Sequence, residues 1–423
     1  MVYPYCHICK GTKDMCGLGR CPLLDEVRSK VRPLEASGST VEGPSPPSVF
    51  IGSSGYPRLT IGPLASPVPI PAPERLERSE FLFDRTISDI YSVRSSLIRG
   101  RYKVGVKAAR EPGIPGSGSL YKLEKTIPVR GRKILSSVQE LALSVRSLDT
   151  EMKLTRKLEK TVPVSVDAIS MPMGPSVDLR SLNLHGNPDV PNPVERGASD
   201  TDADASTIMG ELYGNGIGID HLVRLLSVGL LGEGKRRKIV PTRWSITAVD
   251  DILSLKKREK VMELPELDRY LLYSGSRFGN HFLIALFPPP FRFEMLEQWQ
   301  KGSLWGGGSV VIDNEGPRGR KDYASRITGA YYAARLSVLE HLEKMGRCGG
   351  ASVIRWITED YWAPLGVWVI RETVKRALRE APLEFESMGD LIEGADRRCD
   401  MKGWKEKTVY LSGKEDTSLD SFL

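Results

Sequence analysis

The chain has no apolar run approaching the roughly 18 residues that a bilayer span needs, and its opening residues, Met1 to Lys10, carry polar and cysteine chemistry in place of a signal-peptide core. A cytoplasmic location is expected. Only two of the six cysteines, Cys348 and Cys399, lie beyond residue 21. In a chain without a secretion signal these read as reduced thiols, not as half of a disulfide framework. There is no internal repeat that would indicate a solenoid or propeller. Helical and strand patterns alternate without a clean βαβ period, which leaves both α/β and α+β open.

What is present is a chain of 423 residues, 40% hydrophobic and 27% charged, long enough for two or three domains and for a core that needs no staples. The formal net charge is +7, but it is unevenly spread. Between Arg94 and Lys160 there are 16 Lys or Arg against 6 Asp or Glu, so this window is +10 and the remainder is −3. Such a window is what a nucleic-acid phosphate track requires, and equally what a set of solvated helix faces would look like.

Cys6, Cys9, Cys16 and Cys21 fall within sixteen residues as C-x2-C-x6-C-x4-C. Four thiolates at this spacing suit one tetrahedral, structural Zn²⁺, with Gly11, Gly17 and Gly19 supplying permissive backbone and His7 a bystander. The segment is too short to own a core, so the metal would fold it.

The fold class expected is α/β or α+β: a mixed main domain with a small N-terminal zinc-binding knuckle and a flexible C-terminal peptide. The boundaries follow composition: 1–31 as the zinc-binding segment, 32–48 as a Pro/Gly/Ser-rich linker, 49–411 as the main domain, and 412–423 as a tail. The main domain divides, if at all, near 49–260 and 261–411. Apolar spacing predicts helices over 84–99, 134–148, 246–260, 324–345 and 367–379. It predicts strands over 49–52, 59–64, 267–273, 282–287, 309–312, 352–357 and 408–411. The Pro-rich stretch 162–207 reads as irregular.

Three signals carry little weight. Gly229 to Lys235 has the G-x4-G-K spacing of a phosphate loop, but Arg236 stands where Ser or Thr should ligate Mg²⁺ and a helix, not a strand, precedes it. The run Lys235, Arg236, Arg237, Lys238, together with Arg243, remains a candidate for positioning contacts with DNA backbone. Asp200, Asp202 and Asp204 are explained better by helix capping than by a metal. Trp244, Trp356, Trp362 and Trp368 are more often core than base-stacking platforms.

The chain ends in Asp416-Thr417-Ser418-Leu419-Asp420-Ser421-Phe422-Leu423. An aliphatic residue three places before an aromatic, in a polar tail, can form one 3₁₀ turn that presents both side chains to an apolar pocket. This resembles the peptide by which replication and repair proteins dock on the ring-shaped DNA sliding clamp (PCNA). Leu419 would be the aliphatic plug and Phe422 and Leu423 the terminal pair, with Asp416 standing where Gln is usual.

Over nearly its full length the chain also resembles the archaeal Nre family of DNA-repair proteins. The resemblance is carried by Cys6-x2-Cys9-Lys10-Gly11, Cys16-Gly17, Cys21-Pro22, Gly55-Tyr56-Pro57, Ile61-Gly62-Pro63, the block Arg237 to Thr247, Tyr361 to Gly366, and the tail. It implies a role in DNA-damage repair and binding to the sliding clamp, and no settled catalytic mechanism. A clamp-tethered, metal-dependent nuclease or nucleotide-using enzyme is the alternative.

Overall fold

The computed structural model describes residues 2–31, 38–110, 129–158, 166 and 168–411. The chain gathers into two compact units. One comprises residues 24–253 with 364–366; the other comprises the described residues up to Leu23, residues 254–363, and those from 367 onward. Each is built on one six-stranded sheet.

The strands of the first unit are β1 Gly38–Ser45, β2 Arg58–Ile61, β3 Leu64–Ala65, β4 Ile98–Gly105, β5 Leu148–Leu158 and β6 Ser176–His185. They run in the order β1-β5-β6-β4-β2, with β3 also pairing β4. All pairings are antiparallel except β4 with β6. Two sequence expectations change here. The Pro/Gly/Ser-rich stretch expected as a linker contains β1, because partnering β5 from Ser45↔Leu148 to Gly38↔Leu158 satisfies its backbone despite the weak strand propensity of glycine. The supposed irregular stretch contains β6, an 
alternation of buried and more exposed positions (Val177, Leu179 and Leu182 buried) that its flanking prolines obscured.

Helix Ile87–Ser95 starts at a capping box, in which Thr86 accepts from the Asp89 N–H and Asp89 reaches back. It ends before Ile98, so the apolar run expected as one helix over 84–99 is a helix followed by the first residues of β4. Arg94, although part of the basic window, is buried and structural: it pairs with Glu77 at 2.9 Å and donates to the carbonyls of Leu76 and Pro172.

The second unit contributes β7 Tyr270–Arg277, β8 Asn280–Phe287, β9 Phe293–Trp299, β10 Val311–Glu315, β11 Gly350–Ile357 and β12 Leu383–Phe385, in the order β10-β9-β11-β8-β7-β12. Only β9 and β11 are parallel. Helices Gly329–Met345 and Trp368–Ala377 pack on each other, and the latter lies against β7 and β8. Leu283, Phe287, Leu296, Trp356, Leu391 and Trp404 belong to an apolar cluster that includes helix Met388–Asp396. Residues 408–411, expected as a strand, are not one. They are held by the buried Glu294 carboxylate, which accepts from the Val409 and Tyr410 N–H groups at 2.8 and 3.3 Å, from Ser352 Oγ at 2.7 Å and from Thr408 Oγ1. Burial nevertheless raises its pKa above the ordinary carboxylate range.

A second buried carboxylate ties the cysteine-rich segment to the sheet of this unit. Glu297 on β9 is fully enclosed and accepts from Lys10 Nζ at 2.6 Å, from Trp299 Nε1 at 3.0 Å and from Arg355 on β11. Burial would raise Glu297, but Lys10 and Arg355 outweigh it and keep the carboxyl below its ordinary value. His7 is buried over Gly308, where a Cβ would come within 2.3 Å of the imidazole. Residues 2–23 thus dock through a buried ion pair next to a cysteine. Because Glu297 compensates two buried cations, Glu297→Gln should destabilise this unit by about 3–5 kcal/mol, read as a lowered midpoint in chemical or thermal unfolding. An unchanged midpoint would show that the triad contributes nothing.

Candidate nucleic-acid interface

The described part of the first unit contains a cavity of about 680 Å³ whose walls include Arg58, Arg99, Arg101, Lys103 and Arg243. No acidic side chain is among its described walls. Three of the five cations come from β4. In a strand, alternate residues face the same way, so Arg99, Arg101 and Lys103 all reach one space while Gly100 packs against Leu179 on the other side. The neighbouring strand adds two walls in register: Thr60 pairs with Lys103 and Arg58 with Gly105.

The opposite wall is the turn between Ile51 and Arg58. Gly55 sits at φ +86°, and its carbonyl accepts from the Arg58 N–H at 2.8 Å. Gly52 bridges Thr60, and a Cβ there would lie 2.6 Å from Thr60 Oγ1 and 3.1 Å from an Arg99 nitrogen, so only glycine lets the turn approach this closely. Arg243 enters from the start of helix Thr242–Met262, which is fastened to the turn by a reciprocal pair: Ile51 N–H donates to Thr242 Oγ1 at 2.8 Å, and Thr242 N–H donates to Ile51 O at 3.0 Å.

Arg99 is the deepest cation, only 8% exposed. Its Nη2 donates to Thr60 Oγ1 and O at 2.9 and 3.1 Å, and its guanidinium lies 4.3 Å from the centre of the Phe50 ring. Its buried Nε has no partner, and no described carboxylate lies within ion-pair distance. Burial, and then repulsion from Arg101, push its pKa down to about 9, so it stays charged at neutral pH. Arg101 is partly compensated by Asp178 at 3.1 Å, through Nη2. An enclosed cation of this kind is costly in the free protein unless something anionic joins it.

Beside this cavity stand two exposed aromatic rings. Tyr56 is 58% and Trp244 48% exposed, their centroids are 5.8 Å apart, and their planes are inclined at 46°. Trp244 therefore departs from the core role expected of it, whereas Trp356 and Trp368 are buried.

The basic run expected to meet DNA divides by burial. Lys235, Arg236 and Lys238 are exposed, with Arg236 pairing Glu233 at 3.2 Å. Arg237 is buried, 4% exposed, and braces the loop by donating to Gly232 O at 2.8 Å and Asp200 O at 2.6 Å. It is a structural arginine, because those carbonyls would otherwise lack donors. Asp204 caps helix Ala205–Gly214, accepting from Thr207 N–H at 2.9 Å, and Asp200 accepts from the N–H groups of Asp202 and Ala203, so these acids serve the turn. The sequence signal for the cavity was the alternation Arg99-x-Arg101-x-Lys103, hidden because the residues before it read as helix.

The four N-terminal cysteines, all free thiols, line one cavity of about 390 Å³ in the second unit. Burial raises Cys6, and the three other cysteines add to that rise, while N–H groups of Met15, Lys13, Gly11 and Thr12 overcome burial and lower Cys9. As they stand the sulfurs surround a space without closing on a point: among the described residues no group of three or more His, Cys, Asp or Glu is gathered tightly enough to hold an ion. Asp416, Leu419, Phe422 and Leu423 lie outside the described residues. No helix among the described residues is long and apolar enough to cross a membrane.

Two family models match the chain, archaeal Nre, N-terminal, over residues 15–306 and archaeal Nre, C-terminal, over residues 315–422. The chain belongs to the archaeal Nre family. It is 36% identical over 428 residues to the DNA repair protein NreA of Archaeoglobus fulgidus, covering all of both chains. It is 33% identical over 362 residues to the DNA repair protein NreA of Haloferax volcanii, covering 84% of this chain and 82% of that one. With the DNA repair protein NreB of Archaeoglobus fulgidus it shares 30% identity over 423 residues, 99% of this chain and all of the other. No solved structure matches. Two segments that carry the resemblance, Gly55-Tyr56-Pro57 and the block Arg237 to Thr247, meet at the cation-lined cavity.

The division within the basic run gives a direct expectation. Arg237→Ala should cost about 1–3 kcal/mol in unfolding experiments, because it orphans two carbonyls, whereas Lys235→Ala and Arg236→Ala should change stability by no more than about 0.5 kcal/mol. Equal effects at all three positions would contradict the assignment.

Proposed function

We propose that this chain is a DNA-repair factor that grips nucleic-acid phosphates in the cation-lined cavity and is brought to its sites by a tail that docks on the DNA sliding clamp. The observation that carries the phosphate-binding part is the convergence of Arg58, Arg99, Arg101, Lys103 and Arg243 on one space with no acidic described wall. Phosphate oxygens are the anions best matched to forked guanidinium donors. The exposed Lys235, Arg236 and Lys238 add positioning contacts, whereas Arg237 holds the loop that carries them. The repair role is supported by the names of three relatives that span most or all of the chain. A binding role rather than a nuclease role is favoured because Asp200 and Asp204 are engaged in capping and turn contacts.

Cys6, Cys9, Cys16 and Cys21 are proposed to hold one structural Zn²⁺. The fit rests on four sulfurs around one cavity and on the backbone N–H groups directed at Cys9, which stabilise a thiolate. The metal would lend the segment the rigidity that its lack of a core denies it, and the chain's own Lys10–Glu297 pair would dock it.

Phosphate gripping is tested by salt-titrated binding of single-stranded DNA. The wild-type association constant should fall steeply with salt, and Arg101→Ala combined with Lys103→Ala should flatten the log–log slope by about 0.7 per cation removed. An unchanged slope would relocate the contacts. Clamp docking is tested separately: Leu419→Ala with Phe422→Ala should abolish calorimetric binding to the purified clamp while leaving thermal stability unchanged. Clamp affinity equal to wild type would refute the tail's role.

A further inference from the structure

We infer that the cavity is built for the phosphorylated end of a nucleic-acid strand, taking the terminal phosphomonoester against Arg99 and stacking the end nucleotide's base on the Tyr56–Trp244 pair. This rests on the phosphate-binding reading above and narrows it to a substrate class. Four observations carry it.

First, the cations are graded in depth. Lys103 and Arg58 are exposed, Arg101 is intermediate, and Arg99 is 8% exposed with an unpartnered, buried Nε. A continuous backbone lying across the unit would meet the outer cations and leave the innermost unused. An end can enter. Second, the charge is suited to a terminal group. An internal phosphodiester brings one negative charge, whereas a phosphomonoester, with its second pKa near 6, brings about −1.5 to −2 at pH 7 and three oxygens free to accept. That is the better counter-ion for a buried guanidinium with no carboxylate beside it. Third, the volume of about 680 Å³ is that of a small-molecule site, roomy enough for a nucleotide and too confined for a duplex. Fourth, two exposed rings flank the cavity's walls. Tyr56 is joined directly to the wall residue Gly55, and Trp244 to the wall residue Arg243. Two solvent-facing aromatic planes next to a phosphate site form a platform indifferent to base identity.

The test uses the full-length protein and four labelled probes at one moderate salt concentration. Three are the same single-stranded oligonucleotide with a 5′-phosphate, a 3′-phosphate or hydroxyls at both ends, and the fourth is a free nucleoside monophosphate. One phosphorylated strand should bind at least about tenfold tighter than the hydroxyl-ended strand, and the arm that does so names the polarity. Arg99→Met should erase that preference, so that the phosphorylated and hydroxyl-ended strands bind this variant with equal affinity, within about twofold of each other. Tyr56→Ala with Trp244→Ala, both exposed and so compatible with folding, should weaken the phosphorylated strand about tenfold or more. That loss should disappear when the end nucleotide is abasic.

Equal affinity for the three strands in wild type overturns the strand-end inference and leaves general phosphate binding standing. A nucleoside monophosphate that binds as tightly as the phosphorylated strand also overturns it, assigning the cavity to free nucleotides. Absence of binding by all probes, both at that salt concentration and when repeated at low salt, sinks the phosphate-binding reading with it. Should Arg99→Met fail to fold, the wild-type comparison and the aromatic double variant decide the matter by themselves.

Discussion

An extended strand sends every second side chain to the same side, and β4 uses that constraint to place three cations on one space. Arg99, Arg101 and Lys103 are separated by Gly100 and Tyr102, so no helix could have gathered them at this spacing. Everything else about the cavity follows from keeping that face open. The turn at Gly52 approaches without a side chain, β2 lies alongside in a register that adds Thr60 and Arg58, and the reciprocal Ile51–Thr242 hydrogen bonds bring in Arg243. Substituting Gly52 would crowd the hydroxyl that anchors the deepest guanidinium.

The same chain treats buried charge in two opposite ways. In the second unit, Glu297 is surrounded by Lys10 and Arg355, and Arg335 is matched by Glu315 at 2.6 Å, so enclosed ions are compensated by built-in counter-ions. Such pairs, each left with a partner, fix which segments touch. In the first unit Arg99 has hydrogen-bond acceptors and an aromatic face but no described counter-ion. Arg99 differs from the compensated cations of the second unit in lining a cavity whose described walls hold no acid.

The N-terminal segment shows how a cysteine-rich sequence is integrated with a fold. Its four sulfurs surround one space, and the residue after the second of them reaches into the sheet of the second unit to meet Glu297. Lys10 follows Cys9 directly and adopts φ 48°, the left-handed conformation that closes the short turn and also directs the lysine inward. Local turn geometry and docking are therefore set by adjacent residues.

Much of this was legible in the order of residues. Helical periodicity located the long helices ending at Met262 and Met345, apolar runs located β8 and β11, and the cysteine spacing identified a clustered thiol site, because each of these depends on neighbours within a few turns. The chain's kinship was also legible, since short segments such as Gly55-Tyr56-Pro57 identify a family without any knowledge of where they lie. Burial and convergence were not legible. Arg99 and Arg237 look alike in sequence to exposed Arg236, and Trp244 looks like Trp368, because whether a side chain is enclosed depends on residues far along the chain. By itself the sequence determined the longer helices, the apolar strands β8 and β11, the family and the candidate ligands. Only tertiary structure decided which cation braces a loop, which is buried without a described counter-ion, and which tryptophan faces water, because electrostatic cost and exposure are set by what folding brings within a few ångströms.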